Sequence, residues 1–281
     1  MSGDEMFFLS DRETEHFKYM LWKTYVGFFK AYDPRVFFIF NNILLLYVLL
    51  KLKKVGLVSH KTIVLIFILP SYLYFSNTFL RDFFFFILSF AFIYFVYTNN
   101  LIGVVITVLC SLVRPEFTLF YLVSYGIYRY DFKRVTPIIF ITIFLFSLAV
   151  LKSSSVYESY IQFFVLGHLR EKAELGMIGI DIYNLNQFDA ALNVLLSPIF
   201  FWFIPPSGRG GLFDILLYAE TVLIIYLFYN LYKKGNSSLQ TLLVSMVSMS
   251  FVMAVLTVQH DDNLRFRLMF LPFLFVGIIK K

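Results

Sequence analysis

Residues 33–54 read DPRVFFIFNNILLLYVLLKLKK, an apolar run that opens on Asp-Pro and closes on three lysines. Asp33 followed by Pro34 is typical of a helix start. The apolar part, residues 34–50, is close to the roughly 20 residues that a helix needs to cross a bilayer. The stretch therefore predicts a membrane-spanning helix that ends in a cluster of positive charge.

The composition of the whole chain also indicates a membrane protein. Of its 281 residues, 59% are hydrophobic, 21% aromatic and 15% charged, whereas a soluble domain has about 25% charged and about 45–50% apolar residues. The net charge of +6 does not indicate nucleic acid, because the excess lysine lies at predicted helix ends. Cys110 is the single cysteine, which excludes a disulfide within the chain and a cysteine-based metal site.

Further apolar runs predict spans along the chain. They lie at residues 62–76, 83–97, 101–113, 117–128, 137–151, 212–232, 239–258 and 268–279. Pro70 is expected to kink the first of these. Residues 101–113 and 117–128 are short, and they form either two spans or one long broken helix. With residues 34–50 this predicts an all-α polytopic membrane helical bundle of about nine spans.

The chain, residues 1–281, is predicted to be a single membrane domain with two outer segments. Residues 1–33 form an outer N-terminal segment, and residues 152–211 form an outer loop. Within that loop, residues 156–188 begin as an amphipathic stretch typical of an interfacial helix. Residues 191–204 are apolar but contain Pro198, which favours a re-entrant segment.

Positive charge is unevenly distributed between the connections. Lys and Arg cluster at residues 51–54, 129–134, 233–234 and 280–281, whereas the alternate connections carry both signs. The side that is rich in Lys and Arg is cytoplasmic by the positive-inside rule. This predicts a multi-pass protein of the bacterial cytoplasmic (inner) membrane, with its N-terminus outside and its C-terminus inside.

Three carboxylates are candidate catalytic groups. Asp4 and Glu5 lie close to the N-terminus, and Asp261 precedes the last predicted span. A carboxylate at a membrane surface can act as a general base on a sugar hydroxyl. The alternatives are a solvated terminus for Asp4 and Glu5, and a charged loop for Asp261.

Charged residues at two predicted span boundaries are candidate substrate-binding groups. Arg81 and Asp82 open the span at 83–97, and Arg114 and Glu116 flank a proline between two short runs. The planar fork of arginine suits a phosphate. The alternatives are an interfacial anchor, with Asp82 favouring the positive end of the helix dipole, and a structural pair of Arg114 with Glu116.

Two further stretches offer groups for a phosphate. Residues 206–211 (PSGRGG) could hold one through backbone amides and Arg209, or could form a plain turn. They lack the Gly-Lys-Ser/Thr ending of a nucleotide loop, which excludes ATP binding. Residues 260–267 (HDDNLRFR) place His260, Arg265 and Arg267 beside the last span, where they would attract a diphosphate. The alternative is a charged loop.

Short motifs of the chain resemble those of a known group of enzymes. The motifs are Asp4-Glu5, Arg81-Asp82 before a Phe/Leu-rich run, Arg114-Pro115, residues 196–202 (LSPIFFW) followed by Glu220, and residues 264–268 (LRFRL) with Pro272. In these features the chain resembles bacterial O-antigen and capsule polysaccharide polymerases and related GT-C-type polytopic membrane glycosyltransferases. The resemblance implies polyprenyl-phosphate or polyprenyl-diphosphate sugars as donors, on the outer face of the inner membrane. It also implies that Asp4, beside Glu5, corresponds to the acid of the first outer loop that assists the reaction.

These features together predict an enzyme that transfers or polymerises sugars in surface polysaccharide biosynthesis. Arginines would stabilise the leaving (di)phosphate. Aromatic residues such as Trp202 and Tyr183 could stack on sugar faces, or could belong to a membrane-interface belt. The alternatives are a transporter or flippase for lipid-linked glycans and a non-catalytic truncated relative. The expected partners are the lipid-linked sugar, membrane lipids and a polysaccharide export assembly, without nucleic acid. No cofactor is expected. Asp261 and Asp262 could serve as ligands of a divalent metal, although nothing else in the sequence indicates one.

Overall fold

The computed structural model describes residues 17–30, 33–77, 81–130, 202–203, 212–233, 238–257 and 260–276. All secondary structure in these residues is helical, which confirms the all-α class. The predicted span at 137–151, the interfacial segment at 156–188 and residues 191–201 and 204 of the re-entrant segment lie outside the described residues.

The bundle is built from helices that follow the predicted apolar runs closely. In chain order they are α1 Phe17–Lys30, α2 Pro34–Lys54, α3 His60–Phe67, α4 Pro70–Phe75, α5 Arg81–Tyr97, α6 Leu101–Cys110, α7 Pro115–Tyr130, α8 Leu212–Lys233, α9 Ser238–Thr257 and α10 His260–Val276, with a 3-10 turn at Ser111–Val113. Helices α2, α5, α8 and α9 agree with their predicted runs to within about one turn. Their boundaries could be read from sequence because each is an uninterrupted apolar stretch between polar groups.

One of the described helices, at Arg35–Lys54, is both long and apolar enough to cross a membrane. It begins where expected, because Asp33 accepts a hydrogen bond from the backbone N–H of Arg35 at 2.8 Å. Shorter apolar helical segments occur at Leu101–Val113, Ile215–Leu231, Leu239–Ser250 and Arg267–Val276. By length and composition, one of the described helices can therefore span a membrane, and the other apolar segments are shorter.

Helix α1 lies within residues 1–33, which the sequence predicts to be an outer N-terminal segment without a span. Trp22, Val26 and Phe29 recur at helical spacing and are buried, so they form one apolar face. The Trp22 ring packs against Phe37 of α2 and Phe84 of α5, with centroid distances of 6.0 and 5.7 Å. The segment was misjudged because its apolar residues are separated by polar ones and do not form a continuous run.

The kink predicted at Pro70 is a complete break between α3 and α4. Leu69 is extended, with φ −61° and ψ 133°, as expected for a residue that precedes proline. A new helix N-terminus therefore forms inside the bundle. The first backbone N–H groups of α4 need acceptors from elsewhere, because a helix cannot satisfy its own first amides.

Helices α6 and α7 are two separate helices that fold back on each other. The Ser111 hydroxyl donates to the Thr118 hydroxyl at 2.8 Å, whereas residues seven apart in one continuous helix are separated by about 10 Å. The chain turns at Arg114, which is extended (φ −136°, ψ 94°) before Pro115. The alternative of one long broken helix is therefore wrong.

The turn between α5 and α6 brings these two helices very close together. Asn99 has a positive φ of 53°, and the side chain of Asn100 accepts from the backbone N–H of Gly103 at 3.0 Å. A Cβ atom at Gly103 would lie 2.2 Å from Cδ1 of Phe95. Glycine is required here because any side chain would displace the Phe95 ring.

Helices α2 and α5 run in the same direction. Their first turns share contacts with Trp22 through Phe37 and Phe84, and their last turns share a cavity lined by Lys51 and Phe95. The α3–α4 segment therefore leads back from the end of α2 to the start of α5.

Helix α7 also runs in the direction of α5, because later residues of α7 contact later residues of α5 through their aromatic rings. The centroid distances are 5.0 Å for Phe85–Phe117 and 4.5 Å for Phe92–Tyr121. The two ends of the bundle consequently differ in charge. We call one the basic end (Lys51, Lys53, Lys54 and Arg129) and the other the ion-pair end (Arg81, Asp82 and Arg114).

Helix α10 begins eight residues before the predicted span at 268–279. Residues 260–267 were interpreted as a connection because they are charged, yet they form the first two turns of the helix. Acidic residues in a first turn stabilise a helix through its dipole, so charge alone does not mark a loop. Arg267 consequently lies inside α10 and not at its start.

The outer surface of the bundle is apolar along several helices. Ile43 of α2, Ile102 of α6 and Val222 of α8 are 61%, 74% and 67% exposed. Charged side chains, by contrast, are found in the interior. Asp82, Arg114, Glu220 and Arg267 are all less than 5% exposed. Charged residues are rarely buried in soluble proteins unless they are paired.

Candidate functional site

Asp82 and Arg114 form a buried ion pair at the ion-pair end. Nη2 of Arg114 lies 2.7 Å from Oδ1 of Asp82, and both side chains are almost fully buried. Asp82 lies in the first turn of α5, whereas Arg114 lies in the extended link before α7. Arg114 is therefore paired with a carboxylate from the start of another helix. The side chain of Glu116 lies outside the described residues, so its pairing with Arg114 stays a prediction.

Arg81 strengthens the same junction from the neighbouring position. Its Nη1 donates to the carbonyl oxygen of Val113 at 3.1 Å. Two consecutive residues at the start of α5 thus contact two consecutive residues before α7. This arrangement fixes the turn between α6 and α7 against the start of α5.

Glu220 and Arg267 form a second buried ion pair, and this one joins three helices. Nη2 of Arg267 in α10 donates to Oε1 of Glu220 in α8 at 3.0 Å. The same carboxylate accepts from the backbone N–H of Ser71 at 2.9 Å and from the Ser71 hydroxyl. Glu220 therefore satisfies a backbone donor that the break before α4 leaves without a helical partner.

Trp202 adds a fourth segment to this cluster. Its carbonyl oxygen accepts from Nη1 of Arg267 at 3.4 Å, and its indole N–H donates to the Ser250 hydroxyl at 2.7 Å. The ring is fully buried and packs edge-on against Phe228 with a centroid distance of 4.9 Å. Trp202 was expected to stack on a sugar, but in this structure its ring is a packing residue.

One further donor of the Arg267 guanidinium is its Nε–H. Its Nε is buried, and it has no hydrogen-bond acceptor within the described part of the chain. A buried polar group without a partner costs about 1–3 kcal/mol, and more when it is charged. An anionic ligand oxygen would remove that cost.

A chain of aromatic contacts connects the two ion pairs. Ser71 is followed by Tyr72, whose ring lies 5.7 Å from that of Phe83 and 6.5 Å from that of Phe86. Phe83 in turn follows Asp82. Both ion pairs are therefore placed against the first two turns of α5, at the same end of the bundle.

A neutral polar contact holds α10 against the middle of α5. The Ser89 hydroxyl donates to the carbonyl oxygen of Met269 at 2.9 Å, and it lies 2.8 Å from the hydroxyl of Tyr121. Because Ser89 donates to Met269, Tyr121 is the donor to Ser89. These contacts fix the axial position of α10, and with it the position of Arg267.

Four of the predicted site residues therefore lie in one region, namely Arg81, Asp82, Arg114 and Arg267. Of the others, Glu116 lies in the first turn of α7, and His260, Asp261 and Arg265 lie in the first two turns of α10, where the structure describes their backbone. Asp4, Glu5 and Arg209 lie outside the described residues. No group of three or more His, Cys, Asp or Glu capable of holding a metal occurs among the side chains that the structure describes.

Sequence reasoning assigned no role to Glu220 or Ser71. Glu220 had a detectable signal, since it is a single acid between the apolar residues 215–219 and 222–229. Ionisable residues in such runs are rare and mark a paired or functional site. Ser71 had no comparable signal, because its role depends on the helix break beside it.

Comparisons with known proteins return no relative for this chain: no protein-family model, no curated protein and no solved structure matches it. The functional conclusion therefore depends on the site and on the sequence motifs.

Proposed function

We propose that the chain is a polytopic protein of the bacterial cytoplasmic membrane that transfers or polymerises sugars from a polyprenyl-(di)phosphate donor on the outer face. The observation that carries the proposal is Arg267, a buried guanidinium that is paired with Glu220 and whose Nε–H has no acceptor among the described residues. The resemblance to polysaccharide polymerases and GT-C-type glycosyltransferases supports the identity of that anion as a lipid-linked phosphate.

Embedding in a bilayer is supported by the apolar outer surface of several helices and by the paired charges of the interior. Apolar side chains cover the outside of α2, α6 and α8, whereas the buried charges are paired in the interior. Paired interior charge is the arrangement expected of ionisable groups within membrane helices. The predicted inner-membrane location and the outward N-terminus belong to this proposal.

The proposed reaction is the attack of an acceptor hydroxyl on the anomeric carbon of the donor sugar. The new glycosidic C–O bond forms while the bond from that carbon to the (di)phosphate oxygen breaks, and the leaving group takes the electron pair. A carboxylate (Asp4, Glu5 or Asp261) takes the hydroxyl proton. The charge that builds up on the leaving phosphate is stabilised by arginines, namely Arg81, Arg114, Arg265 and Arg267.

Arg267→Lys tests the role of the arginine most directly. Lysine keeps the charge opposite Glu220 but lacks the planar fork that binds a phosphate. We expect the variant to accumulate normally and to lower surface-glycan synthesis about tenfold or more, as loss of a charge-assisted hydrogen bond implies. Arg35→Lys is the matched control, because Arg35 is 86% exposed at the start of α2. Unchanged glycan in Arg267→Lys would overturn the proposal.

Deletion of the gene distinguishes the reaction types on a glycan gel. Loss of the ladder with one repeat retained indicates a polymerase, and a uniform change in repeat mass indicates a single-sugar transferase. Lipid-linked repeats that accumulate only on the cytoplasmic side indicate a flippase and overturn sugar transfer. An unchanged glycan profile also overturns it.

Cysteine labelling tests the topology separately. In a Cys110→Ala background, Asn77→Cys at the ion-pair end should react with an impermeant maleimide added to intact spheroplasts. Lys54→Cys at the basic end should react only after the membrane is opened. Both positions are exposed in the structure, so equal labelling of the two from outside would contradict the orientation.

A further inference from the structure

A cavity of about 220 Å³ lies between α2 and α5 at the basic end, far along both helices from the ion pairs. Its lining includes Tyr47, Lys51, Tyr94, Phe95 and Asn100. It therefore combines an ammonium group, an amide and two phenol hydroxyls with aromatic ring faces. This is the composition of a site for a polar group that carries an apolar body.

The charge of this cavity is positive. Nζ of Lys51 lies 5.2 Å from the centre of the Tyr47 ring, and Lys53 and Lys54 lie in the same last turn of α2. Carboxylates whose side chains the structure describes lie elsewhere: Asp33 at the opposite end of α2, Asp82 at the start of α5, and Glu220 beside Ser71. The cavity is therefore complementary to an anion.

An apolar face of α2 leads directly to Lys51. Phe40, Ile43, Tyr47 and Lys51 follow each other at spacings of three and four residues, so they lie on one face of the helix. Phe40, Ile43 and Tyr47 are 44%, 61% and 56% exposed. The distance from Phe40 to Lys51 along the helix is about 16 Å, which is about half of the roughly 30 Å hydrocarbon core of a bilayer. The face thus has the length of one leaflet.

We propose that this cavity binds the headgroup of an anionic phospholipid from the leaflet at the basic end. Lys51 contacts the lipid phosphate, Tyr47 and Tyr94 lie at headgroup level as interfacial aromatics do, and an acyl chain lies along the exposed face of α2. The inference goes beyond sugar transfer, and it rests only on the embedding of the helices in a bilayer.

Lipid retention on the purified full chain tests this proposal. Native mass spectrometry in detergent, with dioleoyl phosphatidylglycerol titrated against dioleoyl phosphatidylcholine, should show selective retention of the anionic lipid. Lys51→Ala should weaken phosphatidylglycerol binding about fivefold, as expected for one lysine at an anionic headgroup. Lys61→Ala is the matched control, because Lys61 is an exposed lysine of α3 that does not line the cavity.

A second variant tests the cavity without a change in charge. Ala91 also lines the cavity, and Ala91→Phe should fill it and lower phosphatidylglycerol retention while Lys51 stays in place. Equal binding of the two lipids, unchanged binding in Lys51→Ala or an equal loss in Lys61→Ala would each overturn the proposal. Competition by soluble glycerol 3-phosphate at similar concentration would do so too, because it would indicate a site for free phosphate.

Discussion

The two buried ion pairs differ in how many parts of the molecule they hold together. Asp82 and Arg114 are 32 residues apart and join the start of α5 to the link before α7, next to the contact of Arg81 with Val113. Glu220 and Arg267 are 47 residues apart, and with Ser71 and Trp202 they join α4, α8, α10 and a fourth segment. The first pair fixes one turn, whereas the second fixes the relative positions of several helices.

The neighbours of the Glu220–Arg267 pair also determine which of the two positions carries the negative charge. Glu220 faces N–H and O–H donors of Ser71, and Arg267 faces a carbonyl oxygen of Trp202. The negative member can therefore lie only on the α8 side and the positive member only on the α10 side. If the fixed charges and the number of joined helices distinguish the two pairs, substitutions at the Glu220–Arg267 pair should cost more stability than those at the Asp82–Arg114 junction.

The largest expected effect is that of the charge swap Glu220→Arg/Arg267→Glu. It would place a cation against the donors of Ser71 and an anion against the carbonyl of Trp202. The protein should lose at least as much stability as the about 3–5 kcal/mol expected when one partner of a buried pair is removed. The measurement is the unfolding midpoint in mixed micelles. A swapped protein as stable as the wild type would show that only the pairwise charge matters.

Removal of one partner should have the next largest effect. Arg267→Ala leaves the Glu220 carboxylate buried without its cation, and the free energy of unfolding should fall by about 3–5 kcal/mol. The double variant Glu220→Gln/Arg267→Gln is the control, because it leaves no unpaired charge and should be less destabilised. The assignment of the pair fails if the double variant is the less stable of the two.

Ser71→Ala should have a smaller effect, since it removes one hydrogen bond to the carboxylate and keeps the backbone donor. A hydrogen bond to a charged group contributes about 1.5–3 kcal/mol. Ser124→Ala is the matched control, because the Ser124 hydroxyl is buried and has no partner among the described residues. We expect the control to be neutral or slightly stabilising, so equal losses in both variants would mean that the serine–glutamate contact contributes nothing.

The smallest effect is expected for Arg81→Ala, at the first pair. It removes the hydrogen bond to Val113, a part-buried contact, and should cost about 1 kcal/mol. Arg35→Ala serves as the control, since Arg35 is exposed and its pair with Asp33 measures 3.7 Å. Identical thermal midpoints for the two variants would show that the contact of Arg81 with Val113 does not stabilise the protein.

The sequence predicted the parts of the fold that depend on continuous apolar runs. Helices α2, α5, α8 and α9 are such runs, and their ends carry capping or charged residues. Helix α1 was missed because Trp22, Val26 and Phe29 form an interrupted face. The first two turns of α10 were missed because charged residues at a helix start resemble a loop.

The site could be predicted only in part, for a reason of geometry. Arg114 and Arg267 were identified because they are arginines beside predicted spans, where they could bind a phosphate. Their partners could not be identified, because pairing depends on which helices pack together. Asp82 was predicted to bind substrate, with an interaction with its own helix dipole as the alternative, and Glu220 was given no role of its own. The sequence around Asp82 or Glu220 does not show which distant cation each carboxylate contacts.

The interruption at Leu69–Pro70 has an evolutionary consequence. Proline at position 70 ends one helix and starts another, which leaves the amide of Ser71 dependent on the carboxylate of Glu220. A residue that allowed the helix to continue would give that amide a partner in its own backbone and leave the acid with only the serine hydroxyl and Arg267. Positions 70 and 220 should therefore change together in descendants of this gene, so that a lineage that loses the proline becomes free to lose the glutamate.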